Sequence, residues 1–229
     1  MDINHPLPKQ FHGQLTPEQA AQGIQVALKN AHSLLLEAEL LLENQRWPRA
    51  TALAILAIEE ADKPTRLRCL LLARYEKELK EEWRNFRSHT AKNLMWIFPQ
   101  LAMEGGRQLE DFRRVVDEGS DHGKTLEVIK QVAFYSDAYG DCNWSMPGNV
   151  IDESLAKLIV GVAKILASDK KVTMTSAAEL EIWVKHMLPV WKGDNVSMKA
   201  ALLACYAEAH ELGVLQGNVT PSEMTKFIL

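Results

Sequence analysis

Little in this chain would staple, anchor or metallate it. Its three cysteines, Cys69, Cys142 and Cys205, are far apart and form no Cys-x-x-Cys pair. That excludes a disulfide frame and a zinc site, and reads as reduced thiols of a cytoplasmic protein. No apolar run reaches the length of about 18 residues that a membrane span needs, and no basic-then-apolar leader opens the chain. The phosphate loop GxxxxGK[ST], the dinucleotide fingerprint GxGxxG and the nucleophile elbow GxSxG are all missing. So is the paired Glu-x-x-His of di-metal helical bundles. No cofactor and no metal is therefore expected. An excess of positive charge is lacking too: 26 Lys and Arg stand against 30 Asp and Glu. That balance argues against bulk coating of nucleic acid, yet leaves room for a local phosphate site.

What is present is helical periodicity. After an N-terminal arm (1–15) with Pro6, Pro8 and Gly13, Thr16 caps a helix with Pro17 at its first position and Gln19 closing a capping box. Ile24, Leu28, Ala31, Leu35, Ala38 and Leu42 then recur at spacings of three and four, taking the helix to about Asn44. Pro48 restarts a second helix whose alanines allow close packing, ending at Glu59-Glu60-Ala61-Asp62-Lys63 before Pro64. Glu59 or Glu60 sits at the edge of the core. Lys63 offers the simplest partner to Glu59, and a basic group from the next helix is the other.

A third helix is expected from Leu67 through Leu79 to the cationic stretch, where it either continues or restarts near Glu82 and goes on to Leu101, with Pro99 as its kink or end. Further helices are expected at 108–118, 124–138, 150–168, 176–190 and 196–213, the one at 176–190 opened by the capping box of Ser176 and Glu179 and a last short one by that of Thr220 and Glu223. Between them, residues 135–148 form an aromatic loop that reads as packed. No strand stands out, and the fold class is all-α. His32, His186 and His210 are lone histidines on apolar helices, read as satisfied core or rim groups.

One stretch carries chemistry. From Arg84 to Lys92 the chain reads Arg-Asn-Phe-Arg-Ser-His-Thr-Ala-Lys, with three fixed positive charges and no carboxylate. At about 100° per residue, Asn85, His89 and Lys92 share one side of a helix while Arg84 and Arg87 lie on a neighbouring side. A solvated helix face is the plain alternative for such a charge run.

Arg84-x4-His89, with Asn85 after the arginine, resembles the ribonuclease motif of the HEPN superfamily. In order along the chain, "NAHSLLLEAELLLENQRWPRATALAILAIEEADK", "FRSHTAK" and "FYSDAYGDCNWSMP" follow the pattern of the AbiV-type abortive-infection proteins. The chain departs from that pattern at Ala61-Asp62, where a Leu-Gly pair is expected.

The resemblance implies a HEPN-like antiparallel helical bundle at 16–170, with 171–229 as additional C-terminal helices packed on it. It implies a phage-defence role and metal-independent cleavage of RNA by 2′-OH attack. Arg84, Asn85 and His89 would be catalytic, while Arg87, Ser88, Lys92, Glu59, Glu60 and Lys63 would bind substrate or support the site. It also implies a homodimer. Trp83, Phe86, Trp96 and Phe98 beside the motif suit an interface centre. The competing reading is a non-catalytic helical module that binds a phage protein, an antitoxin or a nucleotide through the same cationic helix.

Overall fold

The computed structural model describes residues 9–89, 93, 95–116, 121–168, 173–217 and 219–229. The protein is all-α, with one two-stranded ribbon of two residues per strand among the described residues. Helix α1 (Pro17–Glu43) starts on the capping box of Thr16 and Gln19 and ends at Asn44, as the periodicity predicts. Three residues later α2 (Trp47–Leu71) turns back along it, with Gln45 in the left-handed region at φ 58°. The two helices form an antiparallel hairpin, since Ala20 and Ile24 near the start of α1 pack with Leu67, Leu70 and Leu71 near the end of α2. Ala31, Leu35 and Ala38 meet Ala50, Ala54, Ala57 and Ile58 at its other end. Small side chains on both faces let the backbones approach.

Pro64 does not end α2, contrary to the sequence expectation. A proline inside a helix costs about 3 kcal/mol. Beyond it, Leu67, Leu70 and Leu71 are buried, and each buried leucine returns about 1.5–3 kcal/mol. The chain then breaks at residues 72–75 and resumes as α3 (Glu76–Arg87). Here too the sequence reading needs correction, because α3 does not run on to 101. Ser88 is extended at ψ 125°, and beyond it the His89 carbonyl accepts the Asn93 N–H at 3.1 Å. Pro99 opens a short helix, α4 (Phe98–Met103), instead of ending a long one. The helix expected at 108–118 is a 3₁₀ segment, Leu109–Val116.

Helix α5 (His122–Phe134) stops short of the expected Ala138, its last carbonyls, Ala133 O and Phe134 O, accepting from Arg49 Nη1. The aromatic loop that follows is not packed. Strands β1 (Ala138–Tyr139) and β2 (Asn143–Trp144) pair in it, and Ser145 N–H reaches Asp137 O at 2.7 Å. Backbone bonds thus give it shape while Tyr135, Tyr139, Trp144 and Met146 stay exposed.

The short α6 (Pro147–Val150) leads into α7 (Glu153–Leu166), which lays Ile159, Val160 and Ala163 on the α1–α2 core together with Leu126 of α5. Helices α8 (Ala177–Met187), α9 (Asn195–Glu211) and α10 (Pro221–Ile228) complete the chain, the first and last with the predicted capping boxes. Leu180 of α8 joins the core of α1, α2 and α3. No helix among the described residues is long and apolar enough to cross a membrane.

Candidate functional site

Periodicity alone places a carboxylate inside the bundle. Ile55, Ile58, Glu59 and Asp62 lie on the buried side of α2, and the Glu59 side chain is only 2% exposed. A buried carboxylate needs partners, and two arrive from other elements. His89, at the turn after α3, brings Nδ1 to 2.7 Å from Glu59 Oε2. Lys130 of α5 brings Nζ to 2.6 Å from Glu59 Oε1. Among the described residues, each carboxylate oxygen thus has its own partner.

Lys130 is itself buried and lies 2.7 Å from Oε2 of Glu127, one turn earlier on α5. That second contact is close in distance, although its angle is poor for a hydrogen bond. Oε1 of Glu127 accepts from Gln131 Nε2 at 2.7 Å. Burial pushes the Glu127 carboxyl up. The close Lys130 ammonium, the Gln131 bond and the charge of His89 outweigh it and hold the group below its ordinary value.

Because Glu59 accepts from Lys130 as a carboxylate, it accepts from the imidazole as well. His89 therefore carries a proton on Nδ1, and Nε2 is the ring nitrogen that Glu59 does not hold. The His89 side chain is 55% exposed, so solvent reaches it. Glu59, His89 and Glu127 also bring ligand atoms within 4.8 Å of one another. A divalent ion there would have to displace the buried Lys130 ammonium, which already bridges both carboxylates. The cluster carries its own cation.

Of the residues singled out in the sequence, the fold joins Glu59 and His89 directly. Lys63 pairs with Glu60 at 2.5 Å, not with Glu59, and its ammonium lies 5.5 Å from the centre of the Phe86 ring. Three residues apart on α2 suffices for that pair, whereas Glu59 faces inward. Arg84 does not join the cluster. Its side chain is 75% exposed, meets Glu81 loosely at 3.6 Å, and borders a groove with Glu76, Lys77 and Lys80. The shared helical side of Asn85 and His89 is lost at the Ser88 break. Asn85 and Ser88 are half-buried.

Arg87 turns to the arm. It donates to Phe11 O at 2.5 Å, contacts His12 at 3.4 Å, and lies 4.7 Å over the Trp83 ring. Lys92 falls outside the described residues. The aromatics expected at a dimer centre are used within the chain. Trp83 is buried and donates to Gly13 O, Trp96 donates to His122 O, and Phe98 stacks on Phe112.

Sequence reasoning missed Lys130 and Glu127. A signal for Lys130 was there, since Leu126, Lys130 and Ala133 recur at spacings of four and three, which puts the lysine on the buried stripe of α5. No curated protein and no solved structure matches the chain. Residues 19–168, more than half of it and running from the first turn of α1 through α7, match the AbiV family of HEPN proteins. The chain belongs to the AbiV family, HEPN-type proteins of abortive infection and phage defence.

Proposed function

We propose that this protein is a metal-independent endoribonuclease that acts in the cytoplasm to halt growth of phage-infected cells. The observation that carries the reading is the pairing of a half-exposed His89 with the buried Glu59 at 2.7 Å. Such a pair fixes an imidazole for proton transfer. His89 Nε2 takes the proton of a ribose 2′-OH. The 2′-oxygen bonds to phosphorus, the P–O5′ bond breaks, and the leaving oxygen takes up a proton. The products are a 2′,3′-cyclic phosphate and a 5′-hydroxyl.

Arg84 stabilises the charge of the phosphorane through its planar fork, and Asn85, Ser88 and Lys92 hold backbone phosphate. Arg84 stands apart from His89 in a single chain. The reading therefore includes a homodimer in which Arg84 and His89 of two chains complete shared sites. RNA is the substrate, and an antitoxin or phage protein is the expected regulator.

The test is cleavage of total RNA from infected and uninfected cells, with analysis of the new ends. His89→Ala should abolish cleavage and leave the far-ultraviolet spectrum unchanged, and EDTA should leave the wild type active. Full cleavage by His89→Ala, or its loss in EDTA, would sink the mechanism. The exposure of Arg84 and its pairing with Glu81 favour a second reading, a docking face that cuts nothing. If no RNA is cut and Arg84→Ala breaks a partner complex, that reading stands.

A further inference from the structure

Lysine is a costly choice at position 130. Its side chain is 6% exposed, on the stripe of α5 that also buries Leu126 and Ala133. An ion taken out of water costs several kcal/mol, and an apolar residue of similar size usually serves stability as well or better. Packing alone therefore gives no reason for a charge there.

Its contacts supply one. Lys130 Nζ touches Glu59 Oε1 at 2.6 Å and Glu127 Oε2 at 2.7 Å, and the same Glu59 holds His89 through its other oxygen. Without the ammonium, two carboxylates would face His89 with nothing between them. An imidazole beside an uncompensated pair of anions keeps its proton and makes a poor base.

We propose that Lys130 is a positioning and charge-balancing residue for His89. By occupying Oε1 it directs Oε2 of Glu59 to His89 Nδ1–H. By offsetting the negative charge it leaves His89 able to take up and release a proton at Nε2. For what His89 does, the proposal rests on the ribonuclease reading. For how His89 is held, it does not. Among the described residues, the charged groups facing His89 are Glu59 from α2, and Glu127 and Lys130 from α5.

The experiment follows the protonation of His89 in the full-length protein by NMR, the signal being assigned as the one lost in His89→Ala. Lys130→Met removes a cation and should move the His89 titration to higher pH, by about 1 pH unit. Glu59→Gln removes an anion and should move it to lower pH. In a cleavage assay the acid limb of the kcat/KM profile should move the same two ways. A purely structural lysine would lower activity across the whole pH range without opposite displacements.

Should Lys130→Met fail to fold, Glu127→Gln with Lys130→Met removes the facing carboxylate as well. It should still titrate at higher pH than Glu127→Gln alone. Displacement of both variants in one direction, or of neither, overturns the proposal. A wild type that cuts no RNA overturns the ribonuclease reading instead, while the NMR titration still decides the role of Lys130.

Discussion

Three residues separate Arg84 from Arg87, and in the sequence they are two charges of one cationic island. In the fold their surroundings differ. Arg84 is largely in solvent, so its guanidinium contributes little to packing and stays available for a phosphate. Arg87 donates to the Phe11 carbonyl and covers Trp83. Arg84→Lys should lower RNA cleavage by about a hundredfold or more, because a point charge cannot replace the fork, with no change in melting. Arg87→Ala should destabilise the fold by about 1.5–3 kcal/mol, the range for charged hydrogen bonds, and spare kcat. Melting curves and single-turnover rates on the same samples separate the two. The sequence shows which groups are charged. Which partner each meets depends on contacts across 76 positions for Arg87 and 30 for His89, and no local pattern encodes those.

Among the elements, α1 and the caps of α8 and α10 were legible because their signals lie within four residues of the helix start. The length of α2 and the break at Ser88 were not. Proline rules predict a stop at Pro64, where burial on both sides outweighs the lost bond. Nothing in Arg-Ser-His-Thr predicts a stop at Ser88, where tertiary bonds of Arg87 to the arm and of His89 to Glu59 pull neighbouring residues apart.

Glu179 shows how far a legible cap can reach beyond its motif. Besides Ser176 it accepts the backbone N–H groups of Met174, Thr175 and Gln216, so one carboxylate joins the loops on either side of α8 and α9. Burial pushes its pKa up, but the backbone bonds from Ser176, Gln216 and Thr175 prevail and hold it below its ordinary 4.5. The stability it confers is therefore complete above the ordinary carboxylate value and fades as pH falls through the lowered one. Glu179→Gln should destabilise by about 1–3 kcal/mol at pH 7. Its melting curve should converge on that of the wild type in acid, as scanning calorimetry would show.

At the scale of the molecule, the AbiV match ends at residue 168, while helices α8 to α10 lie beyond it. Homodimerisation is expected to show as a solution mass twice 25.8 kDa by light scattering at micromolar concentration, and a monomer would count against shared sites. Mixing Arg84→Ala with His89→Ala chains should then restore part of the cleavage that each lacks alone. The aromatic cluster near the motif suggested an interface from sequence because composition does not tell an inner ring from an outer one. Here Trp83 is buried and Phe98 is stacked on Phe112.

The docked arm also has a consequence in time. Gln14, Gly13 and Phe11 bond to Leu70, Trp83 and Arg87, across 56, 70 and 76 positions. On a growing chain, this segment leaves the ribosome before any of its anchors exist. The stretch made early is thus among the last to be seated, and closing so long a loop adds to the delay. During refolding, a protease should still cut before Pro17 after α1 and α2 have become resistant, and stop cutting there only when Trp83 fluorescence reaches its native value.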